Sequence, residues 1–301
     1  MKRVEPDLDD RAWLMRQMRY LAAFVACVAV GVLSCQNDAE TAAGGDATVK
    51  HLPPPGAAMP RWQPALHDTW QWQLQGVLNT GYDVSIYAVD LFDAPQPTID
   101  ALKARGLRVV CHFSAGSSEE HRPDHGRFKR ADMGRPLGHG PGERWLDIRS
   151  ESVRAIVRDR IALAKARRCD GVVPDHVDAW VHDTGWDLDA AAQLEFNRFL
   201  AGEAHASGLA VGLKNDVAQV EALAGEFDFA LNEQCFELEA CVAYQAFTAV
   251  GKPVFNAEYA TRYVQNLQGE RAALCAAARR AHIRTMVLPR ALDGGVRYSC
   301  D

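Results

Sequence analysis

From Trp70 to Arg290 the chain alternates between short apolar runs and longer amphipathic stretches. Eight runs read as strands: WQWQL (70–74), VSIYAVDLF (84–92), RVVCHFS (108–114), GVVPD (171–175), AVGLKN (210–215), FDFALNE (227–233), PVFNAEY (253–259) and TMVLPR (285–290). Helical patterns lie between most of them. PTIDALKARG puts Ile99, Leu102 and Leu107 on an apolar face and ends in Gly106. SESVRAIVRDRIALAKARR opens on a serine cap and keeps Val153, Ile156, Val157, Ile161 and Leu163 on one side. LDAAAQLEFNRFLAGEAHASG is a third, and 216–225, 240–250 and 270–281 give three more. Eight strands alternating with helices in about 240 residues predict a single (β/α)8 TIM barrel of the α/β class. The competing doubly wound sheet would bring a glycine-rich phosphate loop after the first strand. The Gly138, Gly140, Gly142 cluster follows no strand and has the wrong spacing.

The strand ends carry the polar residues. In such a barrel the C-terminal strand ends form the active-site face. The second run ends in Asp90 and Asp93, the third in Ser114-Ala115-Gly116, the fourth in Asp175 with Asp178 beyond it. The fifth ends in Lys214-Asn215, the sixth in Asn232-Glu233-Gln234, the seventh in Glu258-Tyr259, the eighth near Arg290; the first carries Trp72 and Gln73. Carboxylates from four strands would share one mouth, where like charges are costly unless paired or protonated. Aspartates at such loops also cap helices, and Asp93, just ahead of PTIDALK, is read as a cap. Asp175, Glu233 and Glu258, at or inside the strand ends, are read as functional. Two carboxylates facing across a cleft are the machinery of glycoside hydrolysis, one protonating the leaving oxygen and the other attacking or activating water. Trp72, Tyr82, Tyr87, Trp180 and Tyr259 lie near the same mouth and could stack on sugar faces, or simply pack.

The segments WQWQLQG, VDLFD, CHFSAGSSEEHRPD, RWLDIRS, CDGVVPDHVDAW, GLKN, FDFALNEQCFE and KPVFNAEY occur in that order. Together they resemble glycoside hydrolase family 114, the endo-α-1,4-polygalactosaminidases, over about residues 62 to 300. The resemblance implies a barrel that cleaves α-1,4-linked galactosamine polymers such as galactosaminogalactan. Its paired acids fall on Asp175, assigned as nucleophile, and Glu233, assigned as general acid/base, in a retaining mechanism. Asp90, Asp178, Lys214, Asn215, Gln234, Glu258, Tyr259 and Trp72 are expected as substrate contacts. The family's fourth-strand segment reads GVEPDNVDGY; here Val173 replaces its Glu and His176 its Asn, and His112 stands where Tyr is common. His176 either tunes a carboxylate, touches sugar or is an exposed loop histidine. A mouth rimmed by Asp90, Asp175, Asp178, Glu233 and Glu258 would attract a cationic amino sugar. The alternatives are a non-catalytic glycan-binding lipoprotein on the same barrel, or a glycosidase of that fold acting on another amino-sugar polymer.

Other chemistries find less support. His121 and His125 are four apart, with His139 further on, but Pro123 lies between the first two, so a metal-dependent barrel hydrolase is disfavoured. No metal and no cofactor are expected. Ser114, Ser117 and Ser118 lie in a small-residue loop without G-x-S-x-G. SAGSSEEHRPD is read as shaping the cleft, with Arg122 and Asp124 structural or substrate-orienting. Arg144, Asp147 and Arg149 are read as a structural ion-pair cluster. The formal net charge of −6 and the lack of a basic run argue against a nucleic-acid partner; a monomer is expected.

The N-terminus points to export. Residues 20 to 34, YLAAFVACVAVGVLS, are nearly all apolar and follow Arg16 and Arg19. Fifteen residues is short of the roughly 20 a spanning helix needs, and suits a signal-peptide core. The run ends in Val32-Leu33-Ser34-Cys35, which resembles the lipobox of bacterial lipoproteins, whose cysteine is lipid-modified and becomes the mature N-terminus. Leu33 is a less usual residue there, and EPDLDD at 5–10 is unusual ahead of a signal; initiation at Met15 or Met18 would remove it. The expected organisation is a signal over 1–35 ending in lipidated Cys35, a flexible linker over 36–60, and the hydrolase domain over 61–301. The protein would be a membrane-anchored lipoprotein of a bacterial envelope, or secreted. With Cys27 and Cys35 set aside, six of the eight cysteines remain, an even count that in an exported chain suggests disulfides. Cys235 and Cys241 are close enough in sequence to pair, Cys300 could join Cys275, and Cys111 and Cys169 would remain; six cysteines allow fifteen pairings. No C-x-x-C spacing suggests zinc instead.

Overall fold

The computed structural model describes residues 61–138 and 142–301. The expected signal segment, Cys35, the 36–60 linker and His139 lie outside the described residues. Eight parallel strands form the frame: β1 (Trp70–Gln73), β2 (Ile86–Asp90), β3 (Arg108–Ser114), β7 (Gly171–Asp175), β8 (Ala210–Lys214), β9 (Phe229–Glu233), β10 (Val254–Glu258) and β11 (Ile283–Val287), neighbours in that order. Seven lie within their apolar runs, and β11 overlaps the eighth only at 285–287, starting two residues earlier. Between β3 and β7 the chain detours into a three-stranded antiparallel sheet, β4 (Ser117–Glu119), β5 (Met133–Pro136) and β6 (Glu143–Leu146). The helices are α1 (Gln96–Ala104), α2 (Glu151–Ala166), α3 (Ala190–Ala206), α4 (Val220–Leu223), α5 (Gln245–Thr248), α6 (Thr261–Val264) and α7 (Glu270–Ala281). The architecture is a (β/α)8 barrel.

Strand side chains alternate between two faces. Ile86, Ala88, Val110, Val173, Phe229, Leu231, Phe255, Ala257 and Met286 fill the barrel interior with Trp70 and Trp72. Tyr87, Val89, Val109, Cys111, Phe113, Val172, Val211 and Leu213 pack outward against the helices. Both faces are covered, which is why the runs read as continuous apolar stretches. Among the described residues no backbone ladder joins β11 to β1. β12 (Tyr298–Ser299) extends the sheet antiparallel to β11. Arg297 then donates to the Trp70 carbonyl at 3.1 Å and to Gln71 Oε1 at 2.6 Å, and Trp70 Nε1 donates to the Arg284 carbonyl at 3.1 Å.

The disulfides are Cys111–Cys169, Cys235–Cys241 and Cys275–Cys300, the expected pairings. The first ties β3 to the turn ahead of β7, and the last fastens the C-terminus to α7.

Four local readings are corrected. Asp93 does not cap α1: Pro95 holds the N-cap position, and the Asp93 carboxylate accepts from Arg122 at 3.0 Å. Ser150 stands at the N-cap of α2, but its hydroxyl meets Ser152 rather than the helix backbone. Leu163 is on the exposed side of α2; Arg160 and Ala164 complete the buried stripe, because the helical period runs Val153, Ile156, Val157, Arg160, Ile161, Ala164. Asp147 and Arg149 do pair at 2.8 Å, but Arg144 is not part of that cluster, since it lies on β6 and its buried Nε has no partner among the described residues.

Candidate active site

Three adjacent strands, β7, β8 and β9, each end on a charged side chain: Asp175, Lys214 and Glu233. Inside a strand every second residue faces the barrel axis. Val173, Ala210 and Leu231 are interior, so Asp175, Lys214 and Glu233 point into the mouth. The residue after each, His176 (φ 57), Asn215 (φ 53) and Gln234 (φ 60), takes the left-handed conformation. For non-glycine residues that backbone is strained, and such strain gathers at functional sites. It turns the chain sharply at three successive strand ends and leaves the charged side chains at the lip.

The three charges touch. Lys214 Nζ donates to Glu233 Oε2 at 2.5 Å and to Asp175 Oδ1 and Oδ2 at 3.2 and 3.4 Å. Legs of 3.2 and 2.5 Å cap the separation of Asp175 Oδ1 from Glu233 Oε2 at 5.7 Å. Asp175 also accepts from His176 N at 2.8 Å and lies 2.9 Å from His112 Nε2. Glu233 accepts from the Tyr259 hydroxyl at 2.6 Å and from Asn215 Nδ2 at 3.4 Å. Asn215 Oδ1 in turn accepts from the Glu233 backbone amide at 3.0 Å. The Lys214 side chain is 2% exposed, against 17% for Asp175 and 27% for Glu233, so the carboxylates are the more accessible members and the ammonium lies behind them.

The ionisation follows from these contacts. Burial alone would raise the Asp175 carboxyl, but Lys214, His176 and His112 outweigh it and hold it well below the ordinary range. Burial opposes ionisation of Glu233 as well, and Lys214 overcomes it, so that carboxyl is also lowered. Lys214 is desolvated, yet its two carboxylates keep it firmly protonated, with its pKa raised. Burial and the neighbouring Glu233 push the Tyr259 phenol well up, so it stays a donor.

The other expected contacts divide. Asn215 and Tyr259 join the site through Glu233. Trp72 is 1% exposed and forms the floor, with Lys214 Nζ 5.4 Å from its ring centre, so it offers no face to a sugar. Asp90 is 4% exposed and held by Arg122, whose NH2 and NH1 groups reach it at 2.6 and 3.0 Å, and by the Phe92 and Asp93 amides; it anchors the β3–β7 excursion. Gln234 turns to Glu237 at 2.9 Å. Asp178 is nearly buried, 3.4 Å from His182 Nε2. Glu258 does not reach the mouth. Phe255 and Ala257 face inward, so Glu258 faces outward by strand alternation; it is fully buried and accepts from Phe236 N at 2.9 Å and Asn256 Nδ2 at 3.0 Å. Among the aromatics, Tyr87 is buried and holds the Tyr82 backbone, Tyr82 lies under Arg297, and Trp180 Nε1 is turned to Asp216 at 3.3 Å.

Several residues carry roles that their segments did not announce. The His176 ring is fixed by Ser114 Oγ at 2.9 Å and Ser117 Oγ at 3.1 Å, and Trp145 packs edge-on against it. Thus the SAGSS loop positions the His176 ring next to Asp175. Arg160 anchors the same loop: it is 1% exposed and donates to the Ser114 carbonyl at 2.6 Å and to both Asp124 oxygens at 2.8 Å. A lone charge within an apolar helical stripe was the available signal. Asp216, buried beside Asp178, has its carboxyl pushed well up by burial and by that charge. Among the described residues no cluster of three or more His, Cys, Asp or Glu is placed to hold a metal ion.

A barrel presenting two carboxylates on nearby strand ends, within about 6 Å, is the architecture of a glycoside hydrolase. The chain belongs to glycoside-hydrolase family GH114, whose model matches residues 52–301. It is similar to Ega3 of Aspergillus fumigatus, solved in complex with galactosamine, at 37% identity and a TM-score of 0.75, over 81% of this chain and 100% of that one. The glycoside hydrolase domain of PelA from Pseudomonas aeruginosa shares the fold at 15% identity and a TM-score of 0.61, over 77% of this chain and 98% of that domain. Comparison with curated protein sequences finds no match.

Proposed function

We propose that the protein is an exported endo-glycosidase that hydrolyses α-1,4-linked, galactosamine-containing polysaccharide with retention of configuration. The observation that carries this is the Asp175–Lys214–Glu233 contact at the strand ends. Asp175 is the nucleophile, because three cationic or donor partners and a backbone amide keep it ionised. Glu233 is the acid/base, exposed at the lip and oriented by Tyr259 and Asn215. The 5.7 Å ceiling between their facing oxygens favours retention, since inverting sites hold their carboxyl groups roughly 6.5–9.5 Å apart. The substrate class rests on the galactosamine bound by Ega3 and on charge. With Asp90 paired to Arg122, Asp178 nearly buried beside His182 and Glu258 buried, the acidic lip reduces to Asp175 and Glu233, two carboxylates on the one ammonium of Lys214 that touches them both. Export rests on three disulfides, which persist in oxidising compartments, and anchoring on Cys35; loss of palmitate labelling in Cys35→Ala tests the anchor.

The direct test is incubation with partly deacetylated galactosaminogalactan, with release of oligosaccharides read by mass spectrometry and the first-formed anomer by NMR. Asp175→Asn and Glu233→Gln should each remove activity. Turnover that survives both changes, or a β-anomer as first product, would overturn the assignment.

A further inference from the structure

Lys214 is the least accessible member of the charged trio and the one that touches both of the others. Its surroundings leave it little freedom. Glu233 from β9 and Asp175 from β7 take its hydrogens, and the Trp72 ring from β1 lies beneath it. His112 on β3 and His176 after β7 face the far side of Asp175. Tyr259 after β10 faces the far side of Glu233, with the Arg290 guanidinium 5.5 Å from its ring. Asp178, after β7, lies in the same field. A buried ammonium with two carboxylates inside 3.5 Å cannot serve a passing ligand without leaving them unpaired.

We infer that Lys214 is a fixed counter-ion that exchanges partners between Asp175 and Glu233 as the reaction proceeds, keeping one full ion pair in every intermediate. The inference rests on the two-carboxylate reading above. In the first step the bond from the anomeric carbon to the leaving oxygen breaks. A bond forms from that carbon to an Asp175 oxygen, and the Glu233 proton passes to the leaving oxygen. Asp175 loses its charge as an ester while Glu233 gains one. The ammonium begins paired with Asp175 and ends paired with Glu233, without moving. In the second step Glu233 takes a proton from water, the water oxygen bonds to the anomeric carbon, and Asp175 departs as carboxylate. The pairing reverses. The net charge of the trio is the same before and after each step, so no new charge has to be solvated around the buried ammonium, and the electrostatic environment is set in advance.

The inference makes Lys214 a positioning residue, and its signature is a pH profile rather than a loss of activity alone. Asp175 must be ionised and Glu233 protonated at the start. Removing the ammonium favours the protonated form of both. Lys214→Met should therefore move both the acid and the alkaline limb of the kcat/KM profile upward. Each limb should move by at least about one pH unit, as expected for loss of an opposite charge at this range. Lys214→Arg, which keeps the charge, should leave the limbs in place while lowering kcat. Carbon-13 titration of the Asp175 and Glu233 carboxyls, with and without Lys214→Met, gives the same answer without substrate. An inactive wild type with shifting carboxyls would fault the substrate assignment and leave the counter-ion standing. Limbs and carboxyl midpoints that stay put in a folded Lys214→Met protein would overturn it. If that variant does not fold, the Lys214 Nζ resonance of the wild type should follow both carboxyl titrations; a signal blind to either would also overturn it.

Discussion

His112 Nε2 lies 2.9 Å from Oδ2 of Asp175, reaching from inside the barrel on β3 to the strand end of β7. His112 stands level with Val173 in the β3–β7 ladder, one inward-facing layer below Asp175. Its Nδ1 is buried and has no partner among the described residues. The imidazole is therefore best satisfied with its hydrogen on Nε2, donated to the carboxylate. With His176 N on Oδ1, this fixes the carboxylate plane.

His112→Phe should misorient Asp175 and lower kcat about 10²-fold, the scale of an ångström-level misplacement. KM should change little, because His112 is 8% exposed and sits one layer below Asp175. His112→Gln, which can restore a donor, should recover part of the loss. Steady-state kinetics on a defined galactosamine oligomer checks this; an unchanged kcat in His112→Phe would show that Asp175 needs no support from β3.

The optimum should be acidic. The reaction needs Glu233 protonated and Asp175 ionised. Both carboxyls are lowered, after burial is outweighed by Lys214. The protonated fraction of Glu233 therefore falls as pH rises through a value below its ordinary one. The kcat/KM maximum should lie below about pH 5, the unperturbed carboxyl range, and fall toward neutrality. A kcat/KM maximum at or above neutral pH would mean that Glu233 is not lowered in the free enzyme.

Arg160 ties α2 to the cleft loop through Asp124 and the Ser114 carbonyl. Arg160→Met leaves a nearly buried carboxylate and a carbonyl without their partner, which should cost about 3–5 kcal/mol. Asp124→Leu in the same chain should restore part of that, since it removes the stranded charge. Urea unfolding of the two variants measures both. Equal stability of Arg160→Met and wild type would mean that water replaces the guanidinium.

The barrel was legible because its strands are covered on both faces. Runs such as RVVCHFS and GVVPD coincide with β3 and β7 to the residue. Asp175 and Glu233 stood out in the sequence as charges ending apolar strands, and their parity with the interior Val173 and Leu231 is what turns them to the mouth. The face of Glu258 was not, because a fully covered strand shows no polar alternation, and only its interior neighbours Phe255 and Ala257 fix the parity. The β4–β6 sheet was hidden too. SSE and MGRP are short and polar, and their pairing with ERWL is set by the detour itself. Lys214 was visible as a strand-end residue, but whether it faces substrate or carboxylates depends on two other strands.

Glu258 gives the last prediction. Burial pushes its carboxyl up to about 7, against an ordinary value of 4.5, despite hydrogen bonds from Asn256 and the Phe236 amide. Its Oε2 is buried with no partner among the described residues, the position a carboxylic hydrogen would occupy. A carboxyl raised on folding contributes stability that is complete below its unfolded value and is lost as pH rises through the folded one. The protein should thus lose stability between about pH 4.5 and 7 from this group alone. Glu258→Gln keeps an oxygen for the two donors and cannot ionise. It should raise stability by about 1–3 kcal/mol at pH 8 and change it little at pH 4.5. Thermal unfolding of both proteins at the two pH values checks the difference. A gain that is the same at both would show that Glu258 does not ionise in this window and that its burial is not what limits the fold at alkaline pH.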